Sequence, residues 1–468
     1  MKKSKGPAFP QDGETVVAII TPPGEGGIAA IRVAGRHSLP LLKSRFRTPN
    51  GQTPVEFQPF LMRFGHFIDM QGNDIDEILA VFMPKDHSYT GDAQVEIFCH
   101  GGSQAAKRIL NTLLESGARA AEPGEFTKMA FLSGRIDLSK AEAVAELIGA
   151  NTEKSYEIAK EHLLGGYSNT VESLRQKLIE LIAEVEASID FPEEEINSED
   201  KRELLETLQT IESQINQLIS SYQGGRIINE GYKVAICGRP NAGKSSLFNL
   251  LLRQERALVT PTPGTTRDYL SEWIDLEGYA VNLIDTAGLR TGGGAIEKAG
   301  QSSARKIMSK SDLIVWMIDL SQKSWPKQLV EDLRSDLHKN VFLVGNKIDR
   351  TKFNRSLNKS LKESKILPIS CVTKDGLKKF KNELLERINV SMPDLTSGQI
   401  VTSARHKQKL RDSLKNTRAA AIKLKKSASP ELTAFDLRQA AEALAEITGR
   451  IYNDDILGQI FAKFCIGK

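Results

Sequence analysis

The alternation of apolar and polar positions divides the chain into stretches of different period. Between residues 14 and about 133, short β-branched runs bounded by Gly, Pro or Asp recur: Thr15-Val-Val-Ala-Ile-Ile20, Ile28-Ala-Ala-Ile-Arg-Val33, Ile78-Leu-Ala-Val-Phe82 and Val95-Glu-Ile-Phe-Cys99. They predict four strands of a sheet in a mixed α/β domain. From about 134 to 222 the spacing becomes helical, in Val171, Leu174, Leu178, Leu181, Ile182, Val185 and Ile189, and again in Leu204, Leu208, Ile211, Ile215 and Leu218. Such stripes need partner helices. Pro192, in Asp190-Phe-Pro-Glu-Glu-Glu195, predicts a turn between two of them. After Gly224-Gly225 the strand-like Tyr232-Lys-Val-Ala-Ile-Cys237 opens a second α/β region, which ends around Val390-Ser-Met-Pro393. Helical spacing resumes near Thr402. This last stretch is too short for a large core of its own, so it is expected to pack with the first helices, leaving the α/β region between them as an insertion.

Composition narrows the class. A chain of 468 residues, 40% apolar and 26% charged, has room for several domains and needs no fibrous or disordered reading. The formal charge of +4 does not by itself imply a nucleic-acid partner. Charge is nevertheless concentrated between Ala404 and Ser427, with nine Lys or Arg and one acidic residue, Asp412. That stretch is a candidate RNA phosphate contact; a solvated helix face is the plain alternative, and no aromatic residue interleaves the charges. The basic start Met1-Lys-Lys-Ser-Lys-Gly-Pro runs into Gln11-Asp-Gly-Glu14 rather than an apolar segment, and no later run approaches a membrane span, so a cytoplasmic location is expected. Cys99, Cys237, Cys371 and Cys465 lie far apart and read as reduced thiols.

The chemistry is concentrated in the inserted region. Gly238-Arg-Pro-Asn-Ala-Gly-Lys-Ser245 is a phosphate loop, in which glycines let backbone N–H groups close on an anion. Its candidates are Asn241, Ala242, Gly243, Lys244 as point charge, Ser245 as a Mg²⁺ ligand, and Ser246 at the start of a helix whose dipole favours the same anion. The block Asp285, Thr286, Ala287, Gly288 follows the apolar run Ala280-Val-Asn-Leu-Ile284, placing Asp285 near the metal and Gly288 near the γ-phosphate. Asn346, Lys347 and Asp349 follow Val341-Phe-Leu-Val344, and the Asp349 carboxylate can accept the two N–H groups that guanine presents and adenine lacks. The ligand read from these blocks is GTP. Ser370, Cys371 and Val372 stand where related proteins usually have Ser-Ala-Lys, and are assigned to the base. Thr260, Pro261, Thr262, Pro263, Gly264, Thr265 and Thr266 form the first switch, with Thr266 closing on Mg²⁺; a Pro/Gly surface turn is the alternative. Leu289 stands where Ras-like proteins carry a water-orienting Gln, so water must be organised differently.

Gly238–Ser246, Gly264-Thr-Thr-Arg-Asp268 and Phe464-Cys-Ile-Gly-Lys468 together resemble the MnmE (TrmE) family of tRNA-modification GTPases, within the TrmE-Era-EngA-like class. The likeness extends to Thr21-Pro-Pro-Gly24, Gly26-Gly27, Cys99-His-Gly-Gly102, Pro123-Gly-Glu-Phe126 and Leu138-Ser-Lys-Ala-Glu-Ala143. The fold it implies is multidomain α/β plus all-α: a mixed α/β folate-binding-like and dimerisation domain over 1–133, a helical bundle over 134–229 and 391–468, and an inserted Ras-like G domain over 230–390. It further implies a homodimer, tRNA as substrate, 5-formyltetrahydrofolate or a related folate, and an FAD-bearing flavoprotein partner, MnmG (GidA). Arg32, Glu96, Arg135 and Lys468 would contact the folate; Arg135 stands where the family can have Lys. Arg32 and Glu96 read by pattern alone could equally face outward from alternating strands. The resemblance also implies K⁺ bound near Asn241 with Thr260, Thr262 and Thr265, against Asn241 as a loop-shaping residue, and an acidic Glu297 that orients water indirectly; Arg290 is a candidate for added charge. Glu297 otherwise reads as a helix-start glutamate. Cys465 is assigned to chemistry or redox contact on the modification pathway, against a buried small hydrophobe as the plain reading. A ribosome-assembly or RNA-binding regulatory GTPase of the Era or Der type is the competing reading.

Overall fold

The computed structural model describes residues 14–52, 56–190, 198–257, 270–285, 307–322, 324–325, 340–351, 363, 365–391, 399–426 and 428–468. These form two compact units: residues 1–145, 162–175 and 444–468 in one, 146–161 and 176–443 in the other. The turn expected at Asp190-Phe-Pro-Glu-Glu-Glu195 falls on residues 191–197, outside the described ones.

The first unit is built on seven strands rather than the expected four. Along the chain they are β1 (Val16–Ile19), β2 (Ile28–Ala34), β3 (Phe46–Arg47), β4 (Arg63–Ile68), β5 (Asp74–Met83), β6 (Gln94–His100) and β7 (Arg119–Ala120), arranged β3-β4-β5-β6-β2-β1-β7. The pairs are antiparallel apart from β1 with β7. The sequence pattern missed β3 and β7 because two residues carry no period. It missed β4 because Gly65 interrupts the run; the glycine is required, since a Cβ there would lie 2.4 Å from the Phe46 ring. Helices α1 (Ser38–Arg45), α2 (Ser103–Glu115) and α3 (Glu125–Leu132) complete the domain. Ile109 and Leu113 of α2 pack with Ile31, Val33 and Ile97 of the sheet.

Four further helices follow: α4 (Leu138–Gly149), α5 (Glu153–Leu164), α6 (Gly166–Asp190) and α7 (Ser198–Glu230). The predicted stripes are buried, at Val171, Leu174, Leu178, Leu181 and Val185 on α6 and Leu204, Leu208, Ile211, Ile215 and Leu218 on α7. Helix α7 does not stop at Gly224-Gly225, where the glycine pair had predicted its end. Gly225 serves close approach instead: a Cβ there would lie 2.3 Å from the Val401 carbonyl oxygen.

The second sheet comprises β8 (Tyr232–Gly238), β9 (Arg256–Ala257), β10 (Leu270–Leu276), β11 (Tyr279–Asp285), β12 (Leu313–Asp319), β13 (Val341–Asn346) and β14 (Leu367–Pro368), with α8 (Lys244–Gln254) and α9 (Leu377–Val390). Its order is β14-β13-β12-β8-β11-β10-β9, parallel from β14 to β11. All three tryptophans of the chain belong here: Trp273 on β10, Trp316 on β12, and the buried Trp325. Helices α10 (Ala404–Lys425), α11 (Pro430–Thr448) and α12 (Asp454–Phe461) close the chain. Helix α10 runs antiparallel along α7, as the expectation of shared packing required: Lys407 meets Tyr222, Arg418 meets Glu212, and Lys201 reaches the Lys425 carbonyl. Among the described residues no helix is long and apolar enough to cross a membrane.

In the first unit, α12 and the residues after it lie against α3, through Phe461 and Phe464 beside Phe131 and Leu138. The Phe126 N–H donates to the Lys468 carbonyl at 3.1 Å, and Gly467, at φ +98°, lies where a Cβ would come within 2.6 Å of the Ile19 carbonyl oxygen. Gly467→Ala should therefore lift this segment from the sheet and speed hydrogen exchange at the Phe126 amide by roughly tenfold or more, as local opening becomes easier. Unchanged Phe126 exchange, read by mass spectrometry, would show that the segment is not held in this way.

Candidate functional site

In a parallel sheet the loops after the strands gather at one edge, and ligands bind there. The loop leaving β8 at this edge is shaped by three left-handed or glycine-specific conformations: φ is +138° at Gly238, +63° at Asn241 and +97° at Gly243. A Cβ on Gly238 would lie 2.4 Å from the Met317 carbonyl oxygen, and one on Gly243 would lie 2.1 Å from Asn346 Nδ2. The loop enters α8 at Lys244, slightly earlier than the Ser246 start read from sequence. The N-terminal end of a helix, through its dipole and amide groups, favours an anion. Lys244 is buried, and its Nζ donates to the Arg239 carbonyl at 3.1 Å.

Ser245 Oγ donates to Asp285 Oδ2 at 2.8 Å, tying α8 to the end of β11. Asp285 is buried. A hydroxyl and a carboxylate oxygen side by side form the hard donor pair that Mg²⁺ prefers. On the other flank, the Asn346 carboxamide at the end of β13 joins two loops. Its Nδ2 donates to the Ala242 carbonyl at 2.9 Å, and its Oδ1 accepts from the Cys371 N–H at 3.1 Å. Ser370 Oγ, also buried, accepts from the Val372 and Thr373 amides at 3.2 and 3.1 Å. The Ser370–Val372 block, atypical in sequence, is thereby set beside the phosphate loop.

Lys347, at φ +65°, donates to Asp319 Oδ2 at 2.7 Å. Burial works to raise the Asp319 pKa, but the Lys347 ammonium and the Ser321 hydroxyl and amide together hold it below the usual carboxylate range. Asp319 was not singled out from sequence. The signal was available: it ends the apolar run of β12 as Asp285 ends that of β11. Together Asn241, Lys244, Ser245, Asn346, Asp349 and Cys371 line a cavity of about 780 Å³, with Asp349 exposed to it. Gly243, Ser246, Lys347 and Val372 also border it. Thr260, Pro261, Thr262, Pro263, Gly264, Thr265, Thr266, Thr286, Ala287, Gly288, Leu289, Arg290 and Glu297 lie outside the described residues.

A second constellation lies in the first unit. Arg32 on β2 is directly opposite Glu96 on β6. Arg32 Nη2 and Nε donate to Glu96 Oε1 at 2.8 and 3.0 Å, and Gln94 Nε2 reaches the same oxygen at 3.1 Å. The two side chains are 12% and 17% exposed, so this is a partly desolvated pair rather than two outward-facing strand residues. The guanidinium lies 5.1 Å from the Tyr89 ring centre and 5.4 Å from that of Phe126. Phe126 carries the backbone bond to Lys468 described above. Arg135 is exposed and donates from Nη1 to the Asp86 carbonyl at 2.7 Å. Its Cδ flanks Gly91, so the 86–91 segment connects Arg135 to Tyr89 and Arg32. Cys465 is exposed, and its carbonyl accepts from the Gly124 and Lys468 amides, both at 3.4 Å. It is not the buried small hydrophobe of the plain reading.

Comparison with known proteins gives matches over nearly the whole chain. Residues 15–135 match the family model described as GTP-binding protein TrmE N-terminus, and residues 138–465 match the MnmE helical domain. The tRNA modification GTPase MnmE of Natranaerobius thermophilus is 41% identical over 460 residues, covering 97% of this chain and 99% of that protein. Its namesake from Aquifex aeolicus is 39% identical over 458 residues, covering 97% and 100%.

The cysteines offer a check on the nucleotide cavity. Burial, aided by the Asp349 charge, pushes the Cys371 thiol up to about 11, and burial, aided by Asp76, does the same for Cys99. Cys237 is buried. Iodoacetamide at a pH of about 8 should therefore label Cys465 first, whereas Cys371 should gain about tenfold in rate per pH unit toward its raised value, since the thiolate is the nucleophile. Peptide mass spectrometry showing Cys371 labelled as fast as Cys465 would contradict the partial burial of the Cys371 thiol.

Proposed function

Because the chain belongs to the MnmE family of tRNA modification GTPases, we propose how its GTP hydrolysis is coupled to modification of the tRNA. It works as a homodimer in the cytoplasm with an FAD-bearing flavoprotein of the MnmG (GidA) type. Together they add a carboxymethylaminomethyl-type group to C5 of the wobble uridine. The one-carbon unit comes from 5-formyltetrahydrofolate or a related folate, and K⁺ activates the hydrolysis.

The observation that carries the hydrolytic part is the cavity flanked by Ser245–Asp285 on one side and Asn346–Cys371 on the other. Lys244 and the α8 N-terminus hold the phosphates, and Asp349 accepts from the guanine edge. Ser245 and Thr266, with Asp285 nearby, would hold Mg²⁺, which would supply charge to neutralise the phosphates. Asn241, whose positive φ turns it within the loop lining the cavity, supports the K⁺ reading together with Thr260, Thr262 and Thr265. With Leu289 unable to orient water, Glu297 does so indirectly, and Arg290 adds charge.

Folate use is supported by the Arg32–Glu96 pair between two aromatic rings. A pterin has donor-rich edges that suit a carboxylate, while its glutamate tail suits Arg135 and Lys468. Cys465, exposed beside this group, is available to the modification chemistry. Dimerisation is supported by an apolar patch on the first sheet. Phe64 and Leu79 are cross-strand neighbours that are 50% and 38% exposed, with Phe60, Leu61 and Met62 beside them. The Era or Der reading is not favoured, because the TrmE-type N-terminal region spans residues 15–135.

Two measurements test this reading. GTP turnover should be faster in KCl than in NaCl at matched ionic strength, and Asn241→Ala should remove the difference; equal wild-type rates in both salts would eliminate the cation mechanism. Calorimetry with 5-formyltetrahydrofolate should show affinity falling by about tenfold or more in Glu96→Gln, the loss expected for a charged hydrogen-bond acceptor. Folate binding that survives this change at full strength would place the one-carbon site elsewhere.

A further inference from the structure

One face of α10 carries Arg411, Lys415, Arg418, Ile422 and Lys425, all exposed and spaced four, three, four and three residues apart. At helical pitch these positions form a single line about 21 Å long. The nearby carboxylates are already engaged. Glu212 of α7 pairs with Arg418 at 2.7 Å, Asp412 receives the Gln408 amide at 2.9 Å, and Asp436 of α11 takes Lys423 at 2.7 Å. Among the described residues no acidic side chain pairs with Arg411, Lys415 or Lys425.

Beside this line, α7 and α10 enclose a groove of about 570 Å³. Asn216 and Ile219 form one wall; Arg411, Leu414, Lys415 and Ile422 form the other. One turn before Arg411, Lys407 lies 4.2 Å from the Tyr222 ring centre. Burial first, then the neighbouring charges of Arg411 and Arg226, hold its pKa below the ordinary lysine range.

The linear spacing of the cations on α10 suits a repeating anion better than a single one. Among the described residues no aromatic side chain lines the groove, so recognition goes to the backbone rather than to stacked bases. We propose that the α7–α10 groove, with Arg411, Lys415 and Lys425, is the docking surface for the phosphate backbone of the tRNA substrate. The inference rests on the tRNA-modification reading above.

The test is fluorescence anisotropy of a labelled, unmodified tRNA transcript with the full chain, at salt between about 50 and 200 mM. Each neutralised phosphate contributes about 0.7 to 0.9 to the slope of log K against log salt. Arg411→Gln/Lys415→Gln should thus flatten the slope by about 1.5 and weaken binding about tenfold or more at the lower salt. Arg411→Lys/Lys415→Arg should keep the wild-type slope, as should Lys43→Gln/Lys107→Gln in the other unit. If the first pair melts early, Lys415→Gln/Lys425→Gln carries the same expectation. An unchanged slope in the charge-removed variant overturns the docking surface, as does wild-type binding to phosphatidylglycerol vesicles but not to tRNA. Nucleoside mass spectrometry of the reconstituted reaction separates the two readings: product formed with an unchanged slope sinks only the surface, whereas no product from the wild-type system sinks the functional reading itself.

Discussion

The Asn346 carboxamide is the constraint on which the nucleotide site depends. It is buried, and a buried amide left without partners is costly, so its two hydrogen bonds are as much a structural demand as a gain. Meeting that demand fixes the phosphate loop at Ala242 and the base-side loop at Cys371 relative to one strand end. Gly243 completes the constraint, since any side chain there would occupy the position of Asn346 Nδ2. The two loops are therefore not independent: disturbing one releases the anchor of the other. The Ser245–Asp285 bond extends the same framework to the end of β11.

Much of this was legible in the sequence because phosphate binding requires particular backbone shapes, and only glycine or a short polar residue adopts them. Gly238, Asn241 and Gly243 were recognisable for that reason, and so were Asp285 and Asn346 at strand ends. The long helices were legible because their stripes persist over several turns, as Leu204 through Leu218 show. What escaped were features whose cause is tertiary. Gly65 and Gly225 looked like interruptions, yet each is small because another chain segment passes close to it, the Phe46 ring in one case and the Val401 carbonyl in the other. Asp319 escaped because its role depends on Lys347, nearly thirty residues away in sequence.

The first unit shows the same division. Pattern alone left Arg32 and Glu96 open between a surface pair and a ligand pair, because strand alternation cannot tell which face is covered. The register of β2 against β6 sets them opposite each other, and Tyr89 and Phe126 cover the guanidinium. Phe126 also receives the C-terminal residues through its amide, so the ring and backbone of one residue serve two parts of the same constellation. Low exposure gives the pair rigidity at some desolvation cost, which is a reasonable exchange where orientation matters more than stability.

The placement of Trp273, Trp316 and Trp325 gives the molecule an optical asymmetry. All the indole rings belong to the nucleotide sheet or the segment just after β12, and the unit that holds Arg32 and Glu96 has none. Light absorbed selectively by tryptophan therefore reports on the GTP-binding half of the chain, with the other half spectroscopically silent. Ligand-induced changes in the two halves can then be separated in solution without attaching a dye to either.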